Sequence, residues 1–409
     1  MESVKSIFKI GFGPSSSHTM GPGNAAKIFN EKNPNATSFQ VELYGSLAAT
    51  GKGHMTDVAI EAMFAPKNVE IIWKPETELP FHPNGMILHA LSAEKKITDS
   101  WTIYSIGGGD LADENTKTTR ESLYDMTTMT QILGWCQKTG KTFWEYVLDV
   151  EGPEIFDYMS HVREVMKAAV LKGLDEEGVL PGGLGLQRKA SMYYVKSRGY
   201  QGSMKSRAQL FAYALAMSET NASGGEVVTA PTCGSCGVLP AVLYHLHTSH
   251  HDFSDKKIIR ALITAGLIGT LVKNNASVSG AEVGCQGEIG VACAMAAAAG
   301  AQLFGGSTAQ IEYAAEMGLE HHLGLTCDPI CGLVQVPCIE RNAFAAVRAL
   351  DSCSYAMLSD GKHMVSFDKV VRTMKETGHD LPSLYKETSH GGLAKIIDHE
   401  DRSMSFILF

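Results

Sequence analysis

The spacing of apolar residues changes once along the chain, near residue 150, and this change restricts the fold more than any other feature. Before that point apolar and polar residues alternate, as in strands with one buried face, over residues 38–44, 68–73 and 101–106. Beyond it, the apolar residues recur with helical spacing. We therefore predict an α+β fold, with a small N-terminal α/β-type domain over residues 1–150 and a larger all-helical domain over residues 151–409.

Long helices are expected to build the second domain. They are predicted at residues 155–174, 204–221, 238–247, 256–273, 291–304 and 310–323. Gly-rich loops separate these helices, and glycine lets a backbone turn sharply and approach a ligand closely. A chain of 409 residues also exceeds the roughly 250 to 300 residues at which single cores stop growing, so two domains are expected.

Composition and charge narrow the classes of partner. The formal net charge is −9, with 44% apolar and 19% charged residues, as in a folded globular protein. Because no long Lys/Arg run is present, nucleic acid and anionic membranes are poor partners, and a small molecule is expected. The longest apolar stretch, residues 289–304, is shorter than the roughly 18 residues of a membrane helix, and the N-terminus lacks an apolar signal segment. We expect a cytoplasmic protein.

Cysteine is concentrated in one region. Eight of the nine cysteines lie between Cys233 and Cys353, which indicates metal binding or thiol chemistry rather than a disulfide framework. Cys285, Cys327 and Cys338 stand in Gly- or Pro-rich loops, 42 and 11 residues apart. Thiolates select iron–sulfur clusters, zinc or Cu(I), and spacing alone favours the first two equally. The alternative is that these cysteines are small buried apolar residues.

The other cysteines fall into two groups. Cys293 and Cys353 are expected to pack as small apolar residues. Cys233 and Cys236 form a Cys-x-x-Cys pair, typical of zinc sites and redox dithiols, but no second pair completes a zinc site. For this pair and for Cys331, simple packing and a role beside a metal cluster both stay open.

Several strings of residues follow one another in the order of a known family over almost the whole chain. In the first domain they are Ser15-Ser16-Ser17-His18-Thr19 with Gly21-Pro22, Tyr44-Gly45-Ser46-Leu47-Ala48, Thr50-Gly51-Lys52-Gly53-His54 with Thr56-Asp57, His82-Pro83-Asn84-Gly85-Met86 and Ser105-Ile106-Gly107-Gly108-Gly109. In the second they are residues 181–184 and 228–232, the loops of the three dispersed cysteines, Lys386-Glu387-Thr388-Ser389 and residues 391–394. Together these strings resemble the iron–sulfur-dependent L-serine dehydratases, in a single-chain form.

The resemblance implies a cofactor and a reaction. Cys285, Cys327 and Cys338 would hold a catalytic [4Fe-4S] cluster with one iron left open to substrate, and no pyridoxal phosphate would be required. L-serine would be converted into pyruvate and ammonia. Removing a weakly acidic α-proton and expelling hydroxide needs a base on one side and a Lewis acid on the other, and an open iron can be that Lewis acid. Elimination gives aminoacrylate, which tautomerises to an imine and hydrolyses.

The N-terminal loops supply the candidate substrate and acid–base groups. A substrate carboxylate could accept hydrogen bonds from the hydroxyls and backbone N–H groups of Ser15, Ser16, Ser17 and Thr19. The same residues also suit a helix cap. His18 and His54 are candidates for the base, and the sequence does not choose between them.

Three further polar residues are candidates for contacts with substrate. Lys52 could steer the carboxylate or be a solvated turn residue, two interpretations that the sequence favours equally. Asn84 and Asn274 are candidates for hydrogen bonds to substrate, and ordinary helix capping is an equal alternative for Asn274. A homodimer is a further expectation.

The chain departs from the family at three thiols. The family more often has Asn in place of Cys233, no thiol at Cys236 and usually Gly in place of Cys331, which puts an unchanged substrate site in doubt. Activity on L-threonine or L-cysteine therefore stays open, because β-elimination needs only a leaving group on Cβ.

A non-catalytic iron or redox sensor is the alternative from another class of protein. The tail, residues 406–409, contains no cysteine and cannot supply a fourth thiolate.

Overall fold

The computed structural model describes residues 1–113, 122–388 and 391–395. The first elements are β1 (Ile10–Phe12), α1 (Gly21–Lys32), β2 (Ser38–Tyr44), α2 (Gly45–Thr50), α3 (Thr56–Phe64), β3 (Asn68–Lys74), β4 (Gly85–Leu91), β5 (Ile97–Ser105) and β6 (Leu111–Ala112). The others are α4 (Met129–Thr139), α5 (Phe143–Glu151), α6 (Ile155–Asp175), α7 (Ala190–Ser197), α8 (Gly202–Ala222), β7 (Glu226–Val228), α9 (Val238–Ser249), α10 (Asp255–Asn275), α11 (Gly280–Val283), α12 (Val291–Leu303), α13 (Thr308–Glu320), α14 (Cys338–Met357) and α15 (Phe367–Asp380). The predicted α+β class is confirmed. Ser389 and the tail, for which the sequence made predictions, lie outside the described residues.

A five-stranded mixed sheet has the order β3-β2-β4-β5-β6. Strands β2 and β3 run parallel, and the other neighbours are antiparallel. The side chains of Phe39, Val41 and Leu43 alternate into a small core that also contains Phe29 of α1 and Phe64 of α3. The registers bring the end of β2, the start of β4 and the end of β5 to one edge of the sheet. That edge faces the loops of the helical part.

The helical part is built around α12, which is buried on nearly every side. Its Ala-rich sequence allows neighbouring helices to approach closely: a Cβ atom added to Gly318 of α13 would lie 2.9 Å from the Cα atom of Ala294. A helix that is apolar all round belongs in the interior of a large core, as expected for residues 291–304. Within the described residues, no helix is long and apolar enough to cross a membrane.

The N-terminal residues and the two helices before residue 151 pack with the helical part. Val4, Phe8, Phe143 and Val147 belong to its hydrophobic core, and β1 pairs with β7 in an antiparallel ladder. Helices α4 and α5 are amphipathic and bury their apolar faces there rather than against the sheet. Hydrophobic packing therefore groups residues 129–151 with the helices, whereas the sequence pattern assigns them to the first domain. The domain division at residue 150 stays a prediction.

Candidate active site

The Ser-rich loop at residues 15–19 is buried and tied to the helical part. Ser15 Oγ accepts a hydrogen bond from the backbone N–H of His18 at 3.0 Å, and the Ser15 N–H donates to Thr19 Oγ1 at 3.1 Å. The side-chain amide of Asn221, in α8, donates to the Pro14 carbonyl at 2.8 Å. The hydroxyls of this loop therefore also cap the turn that enters α1, and a substrate role for them stays a prediction.

His18 is held at both ring nitrogens. Its Nδ1 atom lies 2.9 Å from Ser17 Oγ and 3.2 Å from Glu387 Oε1, and its Nε2 atom lies 3.2 Å from Ser46 Oγ. Ser46 Oγ donates in turn to the Glu387 carbonyl at 3.1 Å. Burial alone would raise the pKa of the Glu387 carboxyl, but the neighbouring histidines and Ser17 outweigh it and lower that pKa to about 2. Glu387 is thus an ionised partner for His18.

His54 lies beside His18 on the next loop. The two ring centroids are 4.5 Å apart, and His54 Nδ1 lies 3.0 Å from Thr50 Oγ1. Burial, and then the charge of His18, lower the pKa of His54 to about 3. In the described part of the chain His54 Nε2 makes no hydrogen bond, so His54 is a neutral imidazole with one nitrogen available.

The depressed pKa of His54 predicts an acid-sensitive fold. An unfolded histidine titrates near pH 6.5, so between about pH 6.5 and 3 the unfolded state binds the extra proton and stability falls as pH is lowered. The slope from one such group is about 1.4 kcal/mol per pH unit. Urea unfolding at several pH values should show a weaker acid loss in a His54→Asn variant than in the parent. Equal pH slopes in the two proteins would contradict a buried neutral His54.

Two of the three predicted cluster cysteines meet a carboxylate. Cys285 precedes a π-helical turn, Gln286–Gly290, which carries Glu288 back toward the cysteine loops. Glu288 Oε2 lies 4.0 Å from Cys285 Sγ and 3.6 Å from Cys327 Sγ. The three ligand atoms all lie within 4.8 Å of one another. The sequence interpretation gave Glu288 no role, although its position three residues after a cysteine was a usable signal.

Cys338 and Arg341 complete the surroundings of these thiols. Cys338 is the first residue of α14, one turn before Arg341, which donates to the Thr326 carbonyl at 2.6 Å. A hydrogen bond from Cys327 and the charge of Arg341 outweigh burial and lower the pKa of Cys285 to about 7. Burial, followed by the charge of Cys285, raises the pKa of Cys338. The arginine therefore favours negative sulfur at this site.

The donor set fits the iron–sulfur group that the resemblance implies. Soft thiolates suit such a group, and the structure leaves room beside them. Gly280 has no side chain: a Cβ atom there would lie 3.2 Å from Cys327 Sγ and 2.6 Å from Glu288 Oε2. Cys338 stands close enough for the charge of Cys285 to raise its pKa, but its sulfur lies outside the 4.8 Å group. The ligand assignment of the three cysteines stays a prediction.

One short segment connects the cysteine loop with the histidines. The Cys327 N–H donates to the Tyr385 carbonyl at 2.8 Å, and the Thr388 N–H donates to the Cys327 carbonyl at 3.2 Å. Between these backbone bonds, the side chain of Glu387 reaches His18. Glu387 has a φ of +48°, a strained conformation for a residue with a side chain. The sequence interpretation gave Glu387 no role, although the residue lies in one of the family-like strings.

Several buried polar atoms without a hydrogen-bond partner lie between the sheet edge and the cysteine loops. They are both amide atoms of Asn84, the hydroxyls of Ser105 and Ser279, and Glu387 Oε2. Asn84 and Ser105 stand at the facing edge of the sheet, and Ser279 lies six residues before Cys285. A Cβ atom added to Gly107 would lie 2.9 Å from that of Ser279, so the sheet edge closely approaches the cysteine loop. Unpartnered buried polar groups are costly, and a polar ligand would satisfy them.

A cavity of about 350 Å³ opens beside His18, between the sheet edge and the C-terminal segment. Its lining includes Ser46, Glu78, Ala281, Lys386 and Glu387. Two of these residues, Ser46 and Glu387, hydrogen-bond to the His18 ring or approach it closely. The cavity therefore reaches the two residues that hold the His18 ring, while His18 itself is buried behind them.

Two predicted site residues lie elsewhere. Lys52 is exposed, and its Nζ atom lies 5.8 Å from the ring centroid of Trp73. Asn274 is exposed near the end of α10, where its amide contacts Asn275 and lines a small pocket with Met1 and Glu2. The structure does not bring either side chain together with the histidines or the dispersed cysteines.

Cys233 and Cys236 are buried, each with 1% of its surface exposed. Burial raises the pKa of both thiols. Cys233 Sγ lies 3.8 Å from Met20 Sδ, and Asn342 fixes this loop by bonding the Gly237 N–H and the Gly234 carbonyl. These contacts favour packing over ligation.

Replacing both Cys233 and Cys236 with serine should therefore leave iron binding and turnover within a fewfold of the parent. We expect a loss of stability of roughly 1–3 kcal/mol, because each new hydroxyl would be buried without an assured partner. Anaerobic iron counting and thermal unfolding measure the two effects. A substantial loss of iron would instead show that the pair ligates or protects a metal.

Cys331 stands where the backbone is left-handed, with a φ of +57°. Glycine adopts this backbone conformation without strain, whereas a residue with a side chain, such as Cys331, does not. The adjoining turn packs against the His54 loop: a Cβ atom on Gly53 would lie 2.6 Å from the Gly332 carbonyl oxygen.

A Cys331→Gly variant should gain about 1 kcal/mol in unfolding free energy, because the strain of a side chain at positive φ is removed. Cys331→Ala keeps that strain and serves as the control. Chemical denaturation of the three proteins measures the difference. Equal stability of the glycine and alanine variants would show that backbone strain is not what distinguishes the position.

Comparison with known proteins gives the class of this chain. The family model for the serine dehydratase alpha chain matches residues 86–394, and the model for the serine dehydratase beta chain matches residues 3–64. The chain belongs to the serine dehydratase family and carries both regions in a single polypeptide.

Individual relatives match over nearly their whole length. The L-serine dehydratase of Streptomyces coelicolor is 42% identical over 447 aligned residues, covering 96% of this chain and 98% of that protein. L-serine dehydratase 1 of Escherichia coli is 42% identical over 449 residues, covering 96% and 99%. The L-serine dehydratase of Helicobacter pylori is 38% identical over 453 residues, covering 97% and 99%. The family resemblance found in the sequence is confirmed.

Proposed function

We propose that this protein is an L-serine ammonia-lyase that converts L-serine into pyruvate and ammonia with an iron–sulfur cluster. The observation that carries the proposal is the segment at residues 385–388, whose backbone bonds to Cys327 while Glu387 reaches His18. Acid–base groups and soft metal ligands, far apart in sequence, thus meet in one place. The names of the relatives, L-serine dehydratases, support the choice of substrate.

Cys285, Cys327 and Cys338 would hold the cluster in this proposal. When bound, the cluster supplies a Lewis-acidic iron that makes the β-hydroxyl of serine a better leaving group. The positive charge of Arg341 beside the cysteines would balance part of the thiolate charge. Turnover requires no pyridoxal phosphate in this scheme.

His54 is the proposed base. A base must be unprotonated before it accepts the α-proton, and the low pKa of His54 keeps its ring neutral. Its Nε2 atom has no hydrogen bond in the described structure, so the lone pair is available to a bound substrate. Once His54 carries the proton, the ionised Glu387 nearby stabilises the new positive charge.

His18 is proposed as the positioning partner of this base. Ser46 donates its hydroxyl proton to the Glu387 carbonyl, which leaves the Ser46 oxygen as an acceptor for His18 Nε2–H. The Nδ1–H of His18 faces the Glu387 carboxylate. This pattern holds the His18 ring in one orientation beside the His54 ring.

The unpartnered polar groups would bind the amino acid itself. Asn84 and Ser105 at the sheet edge, and Ser279 on the cysteine loop, could hydrogen-bond the carboxylate and amino groups of serine.

A cytoplasmic location belongs to the same proposal and is supported by the nine free cysteines. The expected homodimer stays a prediction.

Anaerobically prepared protein should be tested with L-serine, L-threonine and L-cysteine while 2-oxo acid and ammonia are measured. We expect equal amounts of pyruvate and ammonia from L-serine, with kcat/KM at least about tenfold above that for the other two. Faster reaction of L-threonine or L-cysteine would reassign the substrate. An intact cluster with no turnover would favour the iron or redox sensor.

A further inference from the structure

The carboxylate of Glu288 faces the cysteine site and is not explained by the proposed acid–base chemistry. We propose that Glu288 is the fourth protein donor of this site and that its carboxylate holds the iron without a thiolate ligand while no amino acid is bound. This inference rests on the proposed function, because it presupposes the cluster. It concerns the resting state and the exchange of a protein ligand for substrate.

The first support is geometric. Glu288 Oε2 is 4.0 Å from Cys285 Sγ and 3.6 Å from Cys327 Sγ, so it faces the same small space as the two sulfurs. Within the described residues, these three side chains are the group whose ligand atoms come within 4.8 Å of one another. Cys285 immediately precedes the π-helical turn Gln286–Gly290, and Glu288, three residues later, lies on the same side of that turn.

The second support is the way in which the two carboxylate oxygens are used. Oε1 accepts a hydrogen bond from Thr232 Oγ1 at 2.7 Å, which fixes the carboxylate and leaves Oε2 turned toward the sulfurs. Glycines flank both oxygens, since a Cβ atom on Gly234 would lie 3.1 Å from Oε1 and one on Gly280 would lie 2.6 Å from Oε2. Side chains are thus excluded from the side where a metal ion would bind.

The third support is charge. Among the residues that the structure describes, no Lys, Arg or His forms an ion pair with Glu288, and the nearby Arg341 pairs with Asp328. An ionised carboxylate in this half-buried position, without a cation, is costly unless it takes up a proton or coordinates a metal. A carboxylate oxygen is a harder donor than a thiolate sulfur. The bond between Glu288 and iron is therefore the one that substrate would displace, whereas the bonds from the thiolates would remain.

The test measures how firmly one iron is held, without using turnover. Parent protein, Glu288→Gln and Glu340→Gln are reconstituted anaerobically, and a ferrous-iron chelator is added in the absence of amino acid. Removal of one Fe²⁺ from a four-iron cluster leaves three irons and four sulfides, so the iron-to-sulfide ratio follows the reaction. Glu340 is the matched control, because it lies two residues after Cys338 but pairs with Lys189 at the surface.

We expect Glu288→Gln to lose one iron at least about tenfold faster than the parent while it keeps its sulfide, and Glu340→Gln to match the parent. L-serine added to the parent should also speed the loss, because it displaces the carboxylate. An unchanged rate of iron loss in Glu288→Gln would overturn the proposal. Failure of a folded Glu288→Gln protein to assemble any cluster would also overturn it, since Glu288 would then be needed for assembly.

A second variant keeps the test decisive if Glu288→Gln does not fold. Thr232→Val removes the hydrogen bond to Oε1, together with the 3.1 Å contact between the Thr232 and Ser235 hydroxyls, and we expect iron loss about two- to fivefold faster than in the parent. No change in this variant would then contradict the proposal. A separate measurement tests the proposed function. If the parent protein holds four irons but forms no pyruvate from L-serine, the lyase assignment is wrong, whatever the rates of iron release.

Discussion

Replacing Cys327 with alanine is expected to abolish serine turnover and to prevent assembly of an intact cluster. Cys327 is buried, and its sulfur faces both Cys285 and Glu288. Its backbone already bonds to Tyr385 and Thr388, so alanine preserves the path of the chain and removes only the sulfur. We expect turnover to fall by more than about a thousandfold, because the metal chemistry is lost with its ligand.

Iron, sulfide and pyruvate should be measured on the same anaerobic preparations. Cys353→Ala is the matched control, since Cys353 is equally buried but lies within α14, away from the site. It should keep iron and turnover and lose only some stability. Cys285→Ala and Cys338→Ala should resemble Cys327→Ala. A Cys327→Ala protein with parental iron and activity would contradict the ligand assignment.

Replacing His54 with alanine is expected to lower turnover by about two to four orders of magnitude with the cluster intact, the usual scale of lost acid–base catalysis. The imidazole is neutral, lies 4.5 Å from His18 by ring centroids and has one nitrogen free of hydrogen bonds in the described structure. His89→Ala is the control, because His89 lies on the same sheet and bonds Ser100 away from the site.

Parallel variants separate the base from its positioning partners. His18→Ala should also lose about a hundredfold or more, and Glu387→Gln should lose less and shift the pH profile of kcat/KM. Initial rates across pH, with iron counted in each preparation, provide the measurement. Near-parental turnover in both histidine variants would exclude an active site between the sheet edge and the cysteine loops.

Much of the fold could be predicted from residue spacing. The alternating runs at residues 38–44 and 68–73 form β2 and β3, and the six predicted helices are present as α6, α8, α9, α10, α12 and α13. Strand β4 was missed, because its run from Met86 to Leu91 is almost continuously apolar and lacks the alternation of a half-buried strand. Helix α14 was missed because its first residue, Cys338, was interpreted as part of a loop.

Some missed elements did carry a usable signal. Helices α4 and α5 each begin with a capping box, Thr128 with Gln131 and Thr142 with Glu145, and such pairs are recognisable in a sequence. The four histidines at the end of α9 and just beyond it lie at different depths: His245 is buried against Ser206, whereas His251 is exposed. A helix end places successive turns at different depths, and the sequence did not show where that change falls.

The site could be predicted only segment by segment. The strings of residues identified which loops matter, but Ser17 and Glu387 are 370 positions apart, and only the folded chain brings them within 3.3 Å. Asn274 lies apart from these segments because the end of α10 points toward the N-terminal residues, and its contact with substrate stays a prediction. Lys52 lies on the correct loop but extends over Trp73, since a long side chain on a turn follows the nearest apolar surface.

The most direct test of a lyase that depends on an iron–sulfur cluster is serine turnover as a function of iron bound per chain. Protein stripped of iron should be reconstituted anaerobically with increasing Fe²⁺ and sulfide, with no pyridoxal phosphate added, and pyruvate formation measured at each step. We expect negligible turnover without iron and a maximum at about four irons and four sulfides per chain. Undiminished pyruvate formation by the iron-free protein would contradict this expectation.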